Sequence, residues 1–201
     1  MKIEVLSHYL FDEKMKEMSL NDENVENINM AFISIIGTPE CLKYYLEEEN
    51  TKHYYKSHQN VLNLDFDDSD EDVLYNGHLF KTMKMNQAEE TVDFIEDNIK
   101  KGVEEIKIHC RAGMSRSRAT AEFIYRYCKE NGIDVEYKDR NDYTTMLNQG
   151  VLRRLQDAYW KKHNLNEYAE GNKEYPDDLI NTPVRIINRE RNRSAHKMNK
   201  K

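Results

Sequence analysis

At 201 residues and 24.0 kDa, with 38% hydrophobic and 33% charged residues and a net charge of −7, the chain has room for one well-buried domain with extensions and not for two ordinary ones. No apolar run approaches the ~20 residues that cross a bilayer, and Met1 to Leu10 lacks the basic start and long apolar stretch of a signal peptide, so a cytoplasmic protein is expected. The three cysteines, Cys41, Cys110 and Cys128, are too unevenly spaced for a disulfide framework and show no zinc-ligand pairing, which implies a reducing compartment.

In chain order, Lys2 to Leu6 alternates with Ile3 and Val5 on one side and reads as a strand, and the charged residues 9–29 are partly helical. Ala31 to Ile36 is a short β-branched run closed by Gly37, a buried strand. Thr38 then caps and Pro39 fits the first turn of a helix ending near Glu49, with Leu42, Tyr45 and Leu46 on one face. Val61 to Phe66 is another strand, running into Asp65, Asp67, Asp68, Asp70, Glu71 and Asp72, a set too acidic to be buried together and so a loop. Asn76-Gly77 between apolar runs in residues 73–85 predicts a small hairpin. Asn86, with Glu89 three residues on, predicts a capping box, and Ala88, Val92, Ile95 and Ile99 carry the helix to Gly102.

Glu104 to Asn131 then reads as a short alternating strand, a glycine-containing turn and a helix whose wide apolar face, Ala119, Ala121, Phe123, Ile124, Tyr127 and Cys128, is closed by Gly132. Residues 133–141 are a polar connection, and Tyr143 to about His163 is the last strong helix, turning Leu147, Val151, Leu155 and Ala158 inward. Strands alternating with helices predict an α/β fold, a mainly parallel central sheet flanked by helices in a single domain over residues 1–165. Residues 166–201 are a polar tail, partly disordered, although Thr182 to Asn188 could dock as one extended segment. Its basic end, seven Lys or Arg against one Glu over residues 183–201, could grip nucleic acid or an acidic partner, but a solvated tail is the expectation.

The chemistry concentrates in His109-Cys110-Arg111-Ala112-Gly113-Met114-Ser115-Arg116-Ser117. A loop leading from a strand into a helix aims free amides at its hollow, and the helix dipole adds to their field, so a tetrahedral anion is drawn there. The same field stabilises a thiolate over a thiol, which makes Cys110 a nucleophile near neutral pH. Arg116 can hold two phosphate oxygens in its planar fork and stay charged throughout. Gly113 sits where the loop must turn hard. A buried structural thiol beside an incidental turn would explain Cys110 alone, but not the five positions together.

These residues resemble the signature His-Cys-x-x-Gly-x-x-Arg-Ser of the cysteine-dependent protein tyrosine phosphatases, and HCRAGMSRS resembles loops of their dual-specificity branch that act on phosphoproteins. The likeness is sharp over residues 104–131 and looser from about Ala31 to Trp160. It implies a protein tyrosine phosphatase-like fold and a dual-specificity phosphatase-like catalytic domain. The amides of Arg111, Ala112, Gly113, Met114, Ser115 and Arg116 would hold the phosphate. His109 would hold the cysteine loop and tune its thiolate, Ser117 would help the sulfur leave, and Asn148 would brace the loop from a later helix. An acid must protonate the departing oxygen. The family places an aspartate after the strand preceding the long helix, where Asp68 is favoured, Asp67 is second and Asp65 third.

No metal and no cofactor are expected, and phosphoprotein is the expected partner, rather than a membrane or nucleic acid. Two rival readings remain open at this point. Leu62 to Ser69 resembles the D-x-D-x-[ST] motif of haloacid dehalogenase-type phosphatases, with Asp65 as nucleophile and magnesium required, and a non-catalytic phosphate-recognition module would keep Cys110 without an acid.

Overall fold

The computed structural model describes residues 1–44, 52–138 and 147–164. Among them the order is β1 (Lys2–Ser7), α1 (His8–Glu17), β2 (Met30–Ile36), α2 (Pro39–Tyr44), β3 (Val61–Asp65), β4 (Val73–Tyr75), β5 (His78–Phe80), α3 (Met85–Lys100), β6 (Glu105–Cys110), α4 (Arg116–Glu130), β7 (Glu136–Tyr137) and α5 (Gln149–Lys162). The main sheet has five strands in the order β3-β2-β6-β1-β7, and every pairing in it is parallel. The fold is therefore α/β with a parallel central sheet flanked by helices, as the alternation of strands and helices implies.

Parallel strands need crossovers that cover the sheet, and the two apolar clusters follow from this. On one face, Ile33, Ile106 and Ile108 pack with Ala88, Val92 and Ile95 of α3, Ala121 and Ile124 of α4 and Leu155 of α5. On the other, Leu6 and Phe32 pack with Phe11 and Met15 of α1. The alternation in β6 suggests one wet face, yet all six of its residues are buried. The polar side of the strand is paired rather than solvated: Lys107 meets Glu4 and Glu105, and His109 meets Ser34. Buried charges are tolerated on such terms and not otherwise.

The crossover from β1 to β2 skips one position, and β6 fills it. The connection leaving β1 runs toward β2 on the α1 face and the one leaving β6 runs toward β7 on the α4 face, so the carboxyl ends of these two neighbours open into the crevice where open α/β sheets bind their ligands. Cys110 is its last residue and lies opposite Ser7, the last of β1.

Several boundaries differ from expectation. The hairpin forms as expected, with Asn76 and Gly77 at φ 48° and 80°, the left-handed pair of a type I′ turn. Helix α3 begins at Met85, and its first turn is closed by Gln87, whose Oε1 accepts from the Lys84 amide at 2.9 Å, in place of the expected Asn86 and Glu89. The connection at 133–141 holds a short edge strand, β7, which joins β1 because the β1 edge would otherwise leave its ladder unpaired. Helix α5 takes Asn148 as its N-cap, with Oδ1 accepting from the Val151 amide at 2.9 Å, and Leu147 stands before it; the expected start at Tyr143 falls outside the described residues. The expected end of α2 near Glu49, with Tyr45 and Leu46, and the tail with its Thr182 to Asn188 segment fall outside the described residues. No helix among the described residues is long and apolar enough to cross a membrane.

Phe11 is 1% exposed and packs its ring 4.3 Å from that of His109 and 6.0 Å from that of Phe32. Phe11→Ala should therefore cost about 3–5 kcal/mol in urea unfolding. A loss under 1 kcal/mol would mean that α1 is not a fixed part of the layer beneath the cysteine loop.

Candidate active site

The loop between β6 and α4 curls back because Gly113 takes φ 69°, a left-handed conformation unfavourable to side chains. Space forbids a side chain as well: a Cβ there would lie 2.7 Å from the carbonyl carbon of Leu6 and 2.8 Å from the Ser7 nitrogen. The loop is pressed against the end of β1 and tied to it, since the His8 amide donates to the Arg111 carbonyl at 3.1 Å. Arg118 Nε donates to the Gly113 carbonyl at 3.1 Å from within α4.

At the base of this loop Cys110 is 3% exposed, with its Sγ 3.0 Å from Ser117 Oγ. Burial alone would push the thiol pKa up. The Arg116 guanidinium, the hydroxyl and amide of Ser117 and the amide of Gly113 outweigh it, and the pKa falls below the ordinary thiol value. The other two cysteines behave oppositely: burial, with Asp67 adding, pushes Cys41 up to about 12, and burial pushes Cys128 up to about 11.

Arg116 opens α4 and is 6% exposed. Its Nη1 donates to the Phe66 carbonyl at 2.7 Å, while the buried Nε has no partner among the described residues. A buried, charged donor left without an acceptor is costly unless a ligand supplies one. A phosphate oxygen suits it, because a guanidinium held along one edge offers the other as a fork.

The acidic loop faces this cradle. Asp68 Oδ1 accepts from Ser115 Oγ at 2.7 Å and from Asn148 Nδ2 at 2.8 Å, which places its carboxyl at the pocket mouth. Asn148 is 6% exposed, and its amide also faces the Ser115 carbonyl at 3.5 Å, so it bridges the cysteine loop and the acidic loop. Asp67, by contrast, is fully buried: Oδ1 accepts from the Thr38 amide, and Oδ2 from Thr38 Oγ1 and the Lys81 amide, each at 2.8 Å. Asp65 points elsewhere, its Oδ1 2.7 Å from His53 Nε2, and it does not line the pocket. His109 is fully buried, and burial together with His8, His53 and Arg116 holds its pKa well below the ordinary value, leaving a neutral ring.

The resulting pocket, about 290 Å³, gathers Cys110, Arg111, Ala112, Met114, Ser115 and Arg116 with Asp68. Its walls include residues that sequence reasoning missed: His8, Cys41 and Phe80. His8 had a signal, for it follows β1 as Arg111 follows β6, and parallel neighbours end on one edge. Gly150 had none. Its amide donates to Asp70 Oδ1 at 2.9 Å, and a Cβ there would lie 2.8 Å from the Asp70 Cα, so α5 packs its first turn directly on the acidic loop.

No family model and no curated protein matches the chain. Among solved structures it is similar to the human tyrosine phosphatase-like serine/threonine/tyrosine-interacting protein, at 17% identity and a TM-score of 0.37 over 73% of this chain and 88% of that one. The functional reading below stands on the geometry of the loop.

The pKa contrast sets a direct expectation. At pH 7, iodoacetamide should label the Cys110 peptide and leave Cys41 and Cys128 nearly untouched, as read by peptide mass spectrometry. Inorganic phosphate or vanadate should slow that labelling. Equal labelling of all three would remove the basis for a stabilised thiolate.

Proposed function

We propose that the chain is a phosphoric monoester hydrolase that works through a phosphocysteine intermediate on Cys110, a cysteine-dependent protein phosphatase of the dual-specificity type. The observation that carries this is the thiolate-favouring Cys110 at the pocket base, 3.0 Å from Ser117, with the unpartnered Nε of Arg116 in the same loop. Catalytic loops of this kind stabilise charge in a pre-formed site rather than by rearrangement.

In the first step the Cys110 sulfur forms a bond to phosphorus as the bond from phosphorus to the ester oxygen breaks. Arg116 and the amides of Arg111 to Arg116 hold the equatorial oxygens. Asp68, as the carboxylic acid, gives its proton to the departing oxygen. Its two hydrogen bonds both fall on Oδ1, which leaves Oδ2 to carry that proton. In the second step water attacks phosphorus, its proton goes to Asp68, and the sulfur leaves as a thiolate that accepts a hydrogen bond from Ser117. The loop and guanidinium supply the positive charge, so the scheme calls for no metal or cofactor.

Asp67 is unsuited to the acid's role, since its oxygens are engaged in pinning Thr38 and Lys81. The magnesium-dependent alternative through Asp65 is disfavoured, because that carboxylate is held by His53 away from the pocket containing Cys110. Phosphoprotein remains the proposed substrate class, with phosphotyrosine and possible phosphoserine or phosphothreonine ester cleaved by the same step. Residues 1–165 would form the catalytic domain, 166–201 its tail, and a reducing, cytoplasmic setting suits the thiolate.

Cys110→Ser should abolish hydrolysis while the folded protein still binds a phosphopeptide, and the wild type should work in excess chelator. Loss of turnover in chelator, restored by magnesium, would sink the cysteine mechanism; phosphopeptide binding with no turnover in the wild type would leave a recognition module. Asp68→Asn should slow a phosphotyrosine peptide by ~10²–10⁴ and an activated aryl phosphate much less. Asp67→Asn should instead lower unfolding stability by about 1–3 kcal/mol, because an amide cannot accept from all three donors. If the two variants exchange these phenotypes, the acid is Asp67.

A further inference from the structure

Beneath the cysteine loop a chain of hydrogen bonds leads away from His109. His109 Nε2 is 2.7 Å from Ser34 Oγ, Ser34 Oγ is 2.7 Å from His53 Nδ1, and His53 Nε2 is 2.7 Å from Asp65 Oδ1. It starts at a fully buried ring next in sequence to the nucleophile and ends at a carboxylate whose side chain is 58% exposed. The members come from β6, β2, the segment before β3, and the end of β3, so tertiary structure alone joins them.

A single hydroxyl between two imidazoles can donate to only one of them. When His53 is protonated it donates to Asp65 and to Ser34. Ser34 must then give its own proton to His109 Nε2, and the neutral His109 ring carries its hydrogen on Nδ1. When His53 is neutral, its one hydrogen belongs on Nε2, because a bare Nε2 would face the Asp65 carboxylate. Nδ1 then accepts from Ser34, Ser34 accepts from His109 Nε2, and His109 Nδ1 is left as a bare lone pair. That Nδ1 is buried, without a well-formed partner among the described residues, and the Cys110 main chain is the polar group acting on the ring. The protonation of His53 thus reverses the sense of the whole chain up to the residue that carries the sulfur.

We propose that His53 is a positioning residue for the nucleophile: through Ser34 it sets which nitrogen of His109 bears the proton, and with Asp65 it favours the arrangement that stabilises the Cys110 thiolate. With His53 protonated the His53–Asp65 pair is neutral overall, so what reaches the sulfur is the direction of the dipoles, an N–H instead of a lone pair turned to the Cys110 main chain. In the arrangement with His53 protonated, the thiolate is sustained to lower pH. Among the described residues, the other titratable groups facing this cluster are His8, edge-on to His109 at 5.1 Å and itself paired at 3.8 Å with Asp12 from α1, and Arg116 and Cys110 from the loop. His8 is kept from charging by burial and by His53, against the pull of Asp12, and Arg116 stays charged throughout, so neither duplicates the switch. The inference deepens the phosphatase reading and rests on it for its functional meaning.

The test is the pH dependence of Cys110 alkylation by iodoacetamide in the full chain, followed on the Cys110 peptide by mass spectrometry, for wild type, Ser34→Ala, His53→Asn and Asp65→Asn. Each variant should move the midpoint to higher pH, making alkylation about three- to tenfold slower on the acidic limb. All should converge on the wild-type rate at high pH, where the thiol is ionised regardless. A loss that is the same at every pH would mean a displaced loop and overturn the proposal, as would wild-type midpoints in His53→Asn and Asp65→Asn. Asp65→Asn keeps the test decisive if Ser34→Ala fails to fold, because it alters an exposed carboxylate. Alkylation needs no turnover, so the two readings fail separately: absence of phosphatase activity with shifted midpoints sinks only the phosphatase, and turnover with unshifted midpoints sinks only the relay.

Discussion

Ionising a thiol buried to 3% exposure is expensive, and the guanidinium of Arg116 is the charge that offsets the cost most. That guanidinium must itself be held, and its anchor is the carbonyl of Phe66, the residue that introduces the acidic loop. One hydrogen bond therefore links the start of α4, where the cysteine loop ends, to the residue that follows β3. Arg116 uses one edge on structure and leaves Nε, on the other, without a partner among the described residues, an arrangement that a lysine, with a single point charge, could not reproduce.

The acidic loop is fixed from three sides, and each carboxylate in it has a different use. Asp67 is turned inward and ties the start of α2 to the segment after the hairpin. Asp68 is turned across the pocket and held by the cysteine loop through Ser115 and by α5 through Asn148. Asp70 is turned toward the first turn of α5, where the Gly150 amide donates to its carboxylate and Arg154 to its main-chain carbonyl. A helix that contributes no pocket-lining residue thus holds the acidic loop twice, through Nδ2 of its N-cap Asn148 on Asp68 and through the Gly150 amide on Asp70, a free amide at a helix start being a ready partner for an acidic side chain. Asp65, Asp68, Asp70, Glu71 and Asp72 are exposed, as expected of a set too acidic to be buried together, while Asp68 and Asp70 are also tied to neighbouring elements.

Much of the fold was legible because its signals are local. The β-branched run at Ala31 to Ile36, the Asn76-Gly77 turn and the helical spacing of Val92, Ile95 and Ile99 each reflect backbone preferences acting over a few residues. The misreadings have local causes too. Gln87 rather than Glu89 closes the first turn of α3, since its amide can also reach the Asp65 carbonyl, and Asn148 caps a helix that spacing alone would carry back through Leu147. The two-residue strand β7 carries no pattern long enough to detect; it exists because an edge of β1 was open.

The sequence by itself determined the cysteine loop: the order of Cys110, Gly113, Arg116 and Ser117 after a buried strand and before a helix dictates a nest of amides around one anion, since all the partners lie within eight residues. It also determined that an aspartate would lie just beyond β3. Only the tertiary structure decided how the aspartates there are placed, giving Asp67 three internal donors and turning Asp68 toward Ser115 and Asn148. It alone decided that His8 would border the pocket and that Ser34, His53 and Asp65 would connect to His109. The reason is physical: these partnerships depend on which strands become neighbours in a parallel sheet, and that order is set by the burial of whole faces rather than by any short stretch of chain.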